Sequence, residues 1–216
     1  MHRMASFHYT RELFRRWQTV VLFGLLGLVL ALIVSFVQPL RYSSTVRLLI
    51  LQDLGTSVDA YTASRSVERV AEDLSTIIYT STFFDQVFSS GFPLETKTFP
   101  NNDIKRRKEW ARTVDATVSH GTGLLSITAY NTDVAQAEQL VRAIAFVLTQ
   151  HAKEYTSGGN VQMRVVDAPL SSQWPVKPNV LANIASGFFL GGLVGIAYIF
   201  LHLERIRRRH QFVHEE

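Results

Sequence analysis

The groups with which this chain could move protons or hold metals are its 7 histidines and 18 acidic residues, and their spacing forms no familiar catalytic constellation. There is no Gly-x-x-x-x-Gly-Lys run to cradle phosphate, no Gly-x-Ser-x-Gly elbow to present a nucleophile and no His-Glu-x-x-His pair to grip zinc. The histidines are His2, His8, His120, His151, His202, His210 and His214, and only His120 and His151 fall in the hydrophilic middle of the chain. Far apart in sequence, these two read as surface residues rather than ligands. The carboxylates are scattered, with no spacing that suggests an acid pair. Cysteine is absent, which removes thiolate metal sites, thiol nucleophiles and disulfides together. The expectation is a protein without catalytic, cofactor or metal residues, and not an enzyme.

Three other patterns carry physical meaning. The run Lys105-Arg106-Arg107-Lys108 suits either a polyanion contact or a solvated helix face, and the solvated face is the favoured reading. Pro169, Pro175 and Pro178, half of the chain's 6 prolines, crowd into Val165–Asn179 together with Lys177. Proline fixes φ and favours extended backbone, so this segment reads as a stiff coupling strut, with an ordinary linker as the alternative. Gly187, Gly191 and Gly195 recur every four residues and therefore share one helix face. Small residues in that register let helices approach closely, which supports a homo-oligomer, although glycine is frequent in membrane helices for other reasons.

Two apolar runs frame these features. Val20–Val37 and Val180–Leu203 contain no Asp, Glu, Lys or Arg, and each matches the length needed to cross a hydrocarbon core about 30 Å thick. The first exceeds a signal-peptide apolar region and lacks a small-x-small cleavage pattern after it, so it reads as an uncleaved anchor. Arg3, Arg11, Arg15 and Arg16 precede the first run, and Arg205, Arg207, Arg208 and Arg209 follow the second. Positive flanks stay cytoplasmic. Residues 38–179 hold 14 basic and 14 acidic side chains, so the net charge of +4 comes from the tails. It is a topology signal that brings anionic lipid headgroups as neighbours, not a nucleic-acid footprint. The expected plan is a basic cytoplasmic tail over 1–19, a transmembrane helix over 20–37, an external domain over 38–179, a second transmembrane helix over 180–203 and a second basic cytoplasmic tail over 204–216.

The external domain alternates between the two structural periods. Tyr42–Leu51 is rich in β-branched residues and predicts a strand, and Gln52–Ser57 breaks it. Val58–Tyr79 carries Val67, Val70, Ala71, Leu74, Ile77 and Ile78 on one helical stripe. A short helix is predicted over Ser81–Phe88, capped by Thr82 and ended by Gly91 and Pro93. Leu94–Asn102 is predicted as a loop, followed by a basic helix over Ile104–Arg112 capped by Asp103. Val114–Ser119, the turn His120-Gly121-Thr122-Gly123 and Leu124–Tyr130 spell a hairpin. Asn131 or Thr132 then caps an amphipathic helix running to about Tyr155, Gly158 and Gly159 stop it, and Val161–Val166 is the last strand. The sum is an α+β fold, a small sheet packed with helices, between two transmembrane α-helices.

With these residues in place the chain resembles the Wzz-type chain-length determinants, the polysaccharide co-polymerases, together with the related membrane adaptors of bacterial tyrosine kinases. Asp167-Ala168-Pro169 followed by Pro175-Val176-Lys177-Pro178 resembles the family's proline-rich entry to the second helix. Leu125–Glu138 and Tyr42–Ile50 resemble the flanking strand and helix and the first strand, and Gly187, Gly191, Gly192 and Gly195 fit a glycine-bearing second span. The resemblance implies a non-enzymatic protein of the bacterial plasma (inner) membrane, a homo-oligomer with its central domain periplasmic or extracellular. It implies a role in the chain length or export of a surface polysaccharide such as lipopolysaccharide O-antigen, capsule or exopolysaccharide. Its implied partners are a polysaccharide polymerase or a separate cytoplasmic tyrosine kinase, with the growing glycan as another. The external domain is short beside the longer chain-length regulators, which places it nearer the compact adaptors. Two other readings stay open: a two-helix membrane sensor with an external ligand-binding domain, and a membrane-tethered hydrolase. The sensor lacks an output segment after the second span, and the hydrolase lacks a catalytic pair.

Overall fold

The structure is a computed structural model, described over residues 15–53, 59–97, 99–156 and 160–212. It divides into two compact units: Leu40–Val176, and the flanking segments up to Pro39 and from Lys177.

Within Leu40–Val176, β1 (Tyr42–Asp53) is followed by α2 (Ala60–Ile77), α3 (Ser81–Phe88), α4 (Asp103–Thr113), β2 (Val114–Ser119), β3 (Leu124–Asn131), α5 (Val134–Gln150), the short α6 (Ala152–Tyr155) and β4 (Asn160–Ser171). The four strands form one antiparallel sheet in the order β2-β3-β1-β4. The first strand is therefore central and the last lies at an edge. Alternation decides which side chains face the helices: Val46, Leu48 and Ile50 of β1 and Leu125, Ile127 and Ala129 of β3 are all buried. On the opposite face Thr45, Arg47, Ser126, Thr128 and Tyr130 keep at least partial exposure, and the Thr45 and Thr128 hydroxyls pair across the ladder at 2.9 Å.

The helices close the core from one side. α5 contributes Leu140, Val141, Ile144 and Leu148, α2 contributes Ala71 and Leu74, and α3 contributes Phe83, Phe84 and Val87. Trp110 of α4 is buried and donates its indole N–H to the Ile78 carbonyl at 2.7 Å, which satisfies the one polar atom of a large ring in an apolar site. Its ring meets Phe84 edge-on, with centroids 5.1 Å apart, and Phe88 and Phe99 complete the cluster.

Each of these helices starts on a side-chain cap, in three cases a residue other than the one expected. Thr80, not Thr82, accepts from the Phe83 N–H; Asn102, not Asp103, accepts from Ile104 and Lys105; Asp133, not Asn131 or Thr132, accepts from Ala135. Asn131 instead accepts from the Asp133 N–H. The long helix ends at Gln150, and its expected continuation to Tyr155 is the separate α6 beyond His151. The expected stop at Gly158 and Gly159 and most of the expected break over 52–57 lie outside the described residues. β4 runs on to Ser171, well past the expected end at Val166.

The other unit holds α1 (Trp17–Val37) and α7 (Val180–Phe212). Trp17–Val37 and Val180–His202 are both long and apolar enough to cross a membrane.

Candidate functional site

The proline segment and the glycine register are the two features singled out by sequence; Pro169 and Pro175 belong to the Leu40–Val176 unit, and Lys177, Pro178 and the glycines to the other. In the first, β4 binds β1 along its length, with Leu170 opposite Thr45 and Asp167 opposite Arg47. The register slips between these two pairs. Pro169 sits at this irregularity on an edge strand, where a residue without an N–H is tolerated. The expected strut is corrected here: its first part, through Ser171, is sheet rather than free polyproline, because β1 offers hydrogen-bonding partners that proline geometry alone does not reveal. Beyond the strand the chain stays tied to β1. The Ser172 N–H donates to the Ser43 carbonyl at 2.7 Å, the Ser43 N–H donates to the Ser172 hydroxyl at 2.9 Å, and the Val176 N–H donates to the Arg41 carbonyl at 2.8 Å. Arg41 is itself held by Glu109 of α4 at 2.9 Å. Trp174 within this stretch is 80% exposed, and the Lys177–Pro178 peptide bond is cis.

At the bulge a hollow of roughly 450 Å³ opens between the strands, lined by Ser43, Thr45, Arg47, Asp167, Leu170 and Ser172 among others. Arg47 and Asp167 face each other across it at 3.2 Å, a partly exposed pair that contributes little to stability.

In the second unit the glycine register lies against α1 of the same chain. A Cβ on Gly187 would stand 2.7 Å from the Gly27 carbonyl oxygen, one on Gly191 would strike the Phe23 carbonyl, and one on Gly195 would stand 2.9 Å from Phe23 Cβ. Close approach to the first apolar helix is the use made of these residues within the chain. Gly24 and Gly27 of α1 are the reciprocal small residues: Gly24 is covered by the Phe188 ring, and Gly27 meets the Gly187 backbone. Sequence reasoning missed these two because a three-residue interval breaks the register sought. Asn183 donates to the Ser35 hydroxyl at 2.9 Å, a polar clasp in an otherwise apolar contact, and Phe23 packs on Tyr198 with centroids 5.4 Å apart. Asn179, the last residue of the proline segment, accepts from the Ala182 N–H at 3.1 Å and so caps α7.

Catalytic grouping is weak, but His120 is not solitary. Its Nδ1 stands 3.0 Å from Glu68 Oε1, and this bond, with the Gly121 N–H, holds the Glu68 carboxyl below its ordinary range. His151 pairs with Glu154 at 2.9 Å on the short α6. Of the basic run, Arg106 reaches Asp103 at 3.0 Å and lies over the Phe84 ring. Arg107 and Lys108 are exposed, as on a solvated helix face.

The fold thus defines an α+β domain carried between two apolar helices of membrane-spanning length. The family model described as "Wzz: Chain length determinant protein" matches residues 7–90, so the chain is similar to that family over this stretch. The matched region takes in α1, β1, α2 and α3. No curated protein matches the chain.

Proposed function

We propose that this chain is a non-enzymatic inner-membrane assembly protein that sets the chain length, or enables the export, of a bacterial surface polysaccharide. The observation that carries this reading is the chain-length-determinant match over residues 7–90. The architecture agrees with it: in chain order an α+β domain stands between two apolar helices long enough to cross a membrane. In this reading both termini are cytoplasmic and residues 41–178 are external. The protein works as a homo-oligomer beside a polysaccharide polymerase or a separate cytoplasmic tyrosine kinase, with the growing glycan as a further partner. Pro169, Pro175, Lys177 and Pro178 couple the external domain to the second span. Gly187, Gly191 and Gly195 act in helix packing, which supports the homo-oligomer.

Deleting the gene and restoring it tests the role directly. Gel profiles of the surface glycan should change in modal length or amount on deletion and recover on complementation. An unaltered profile would remove the assignment.

A further inference from the structure

We propose that Glu68, Glu72 and His120 form a binding site for a divalent transition metal ion of the zinc class, an assignment independent of the polysaccharide role. Glu68 and Glu72 stand one turn apart on α2, so both carboxylates leave the same helix face. His120 comes from the turn between β2 and β3. One ligand atom from each residue lies within 4.8 Å of the other two. The separation of 3.0 Å between Glu68 Oε1 and His120 Nδ1 is close to the spacing of about 3.3 Å that adjacent ligands adopt around tetrahedral zinc with bonds of about 2.0–2.1 Å.

The three groups differ in the way a metal site requires. Glu68 is the anchor: its side chain is only 10% exposed, and its second oxygen lies 3.7 Å from Arg65, a contact that orients the carboxylate and leaves Oε1 toward the imidazole. Glu72 is exposed, and its carboxylate forms no ion pair or hydrogen bond among the described residues. His120 is exposed as well, so coordination through Nδ1 would leave Nε2 toward solvent and open positions for water. Two carboxylates with one arginine leave the locality net negative before the ion arrives. An imidazole in the set favours zinc over magnesium or calcium, which prefer all-oxygen shells.

The turn is held in place without the ion. Ser64 of α2 donates to the Gly121 carbonyl at 3.1 Å, the Ile50 N–H donates to the Gly123 carbonyl at 2.8 Å, and a Cβ on Gly123 would strike Val67. Gly121 has φ +73°, a left-handed conformation suited to glycine, which turns the chain directly after His120. Binding therefore costs little ordering of the ligands, and the ion would tie α2 to the hairpin.

The test is zinc titration calorimetry on the full-length protein in detergent, with any affinity tag removed, against His120→Ala, Glu72→Gln and the control Glu138→Gln. Histidines in the tails offer background sites, so the difference between proteins decides. The expected result is one zinc per chain in wild type and in Glu138→Gln, with affinity lower by about tenfold or more in His120→Ala and in Glu72→Gln. Circular dichroism with chelator present should show all four proteins folded with cooperative melts, His120→Ala losing only the Glu68 bond and Glu138→Gln only the Arg142 pair. Uptake that is equal across the four proteins, or absent from wild type, overturns the site.

Discussion

At the scale of single residues the fold depends on caps and on one buried ring. Asp59 caps α2 by accepting from the Tyr61 and Thr62 N–H groups and from the Thr62 hydroxyl. The Thr62 bonds, backbone first, hold its carboxyl below the ordinary value. A folded-state pKa that is depressed gives stability present above the unfolded value of about 3.9 and lost as pH falls through the folded one. Asp59→Ala should therefore melt earlier than wild type at neutral pH, and the gap should close as the pH is lowered through that range. Thermal melts at several pH values would check this, and a gap constant with pH would refute it. Trp110→Phe keeps most of the buried ring but leaves the Ile78 carbonyl without its donor. A loss of about 1–3 kcal/mol is expected in denaturant unfolding. The caps also show what a sequence conceals at this scale. Thr80 and Thr82, Asn102 and Asp103, and Asn131, Thr132 and Asp133 are all chemically eligible. Only the backbone conformation at the boundary chooses among them.

At the scale of elements, the strong periods were legible and the tertiary continuations were not. The stripe along α5 and the alternation of the β2–β3 hairpin appear at their expected positions because burial on one face imposes them. β4 outran its expected end because Asp167-Ala168-Pro169 reads locally as a breaker, whereas an edge strand beside β1 accepts it at a slip in register. The glycine register was legible as a packing face, but its partner was not, since a single helix pattern cannot say which helix it meets. The consequence is testable. Introducing Ser35→Cys and Asn183→Cys, whose native side chains touch at 2.9 Å, should give an intramolecular disulfide in this cysteine-free chain. Adding Gly191→Leu should lower that yield by wedging α7 off the Phe23 backbone. An undiminished yield would show that the glycine contact does not hold the pair together.

At the scale of the whole molecule, the chain order itself fixes the plan: apolar helix, α+β domain, apolar helix. The arginine-flanked ends motivate the topology. Single cysteines placed at position 8 or 212 should resist membrane-impermeant maleimide in intact cells, while one at Thr117, an exposed position on β2, should react. Reversed labelling would invert the proposed orientation. The double variant Pro175→Ala and Pro178→Ala should accumulate normally by blotting yet alter the length distribution of the glycan on gels. These prolines follow the strand, so the buried core does not depend on them. A wild-type profile would reduce the segment to a tether.

The antiparallel pairing of β1 with β4 makes the two exits of the domain adjacent ends of one ladder, with Ser44 facing Ser171 where both strands meet their connections to the apolar helices. In mechanical terms this is a zipper with its pulls at the same end. Sideways separation of the exits would load the Ser43–Ser172 and Arg41–Val176 bonds first, one after another, rather than shearing the whole strand at once. The domain is accordingly soft to spreading and stiff to tension along the strands, so a change in the spacing of its two exits would pass from these terminal bonds to the Arg47–Asp167 hollow and only later to the core.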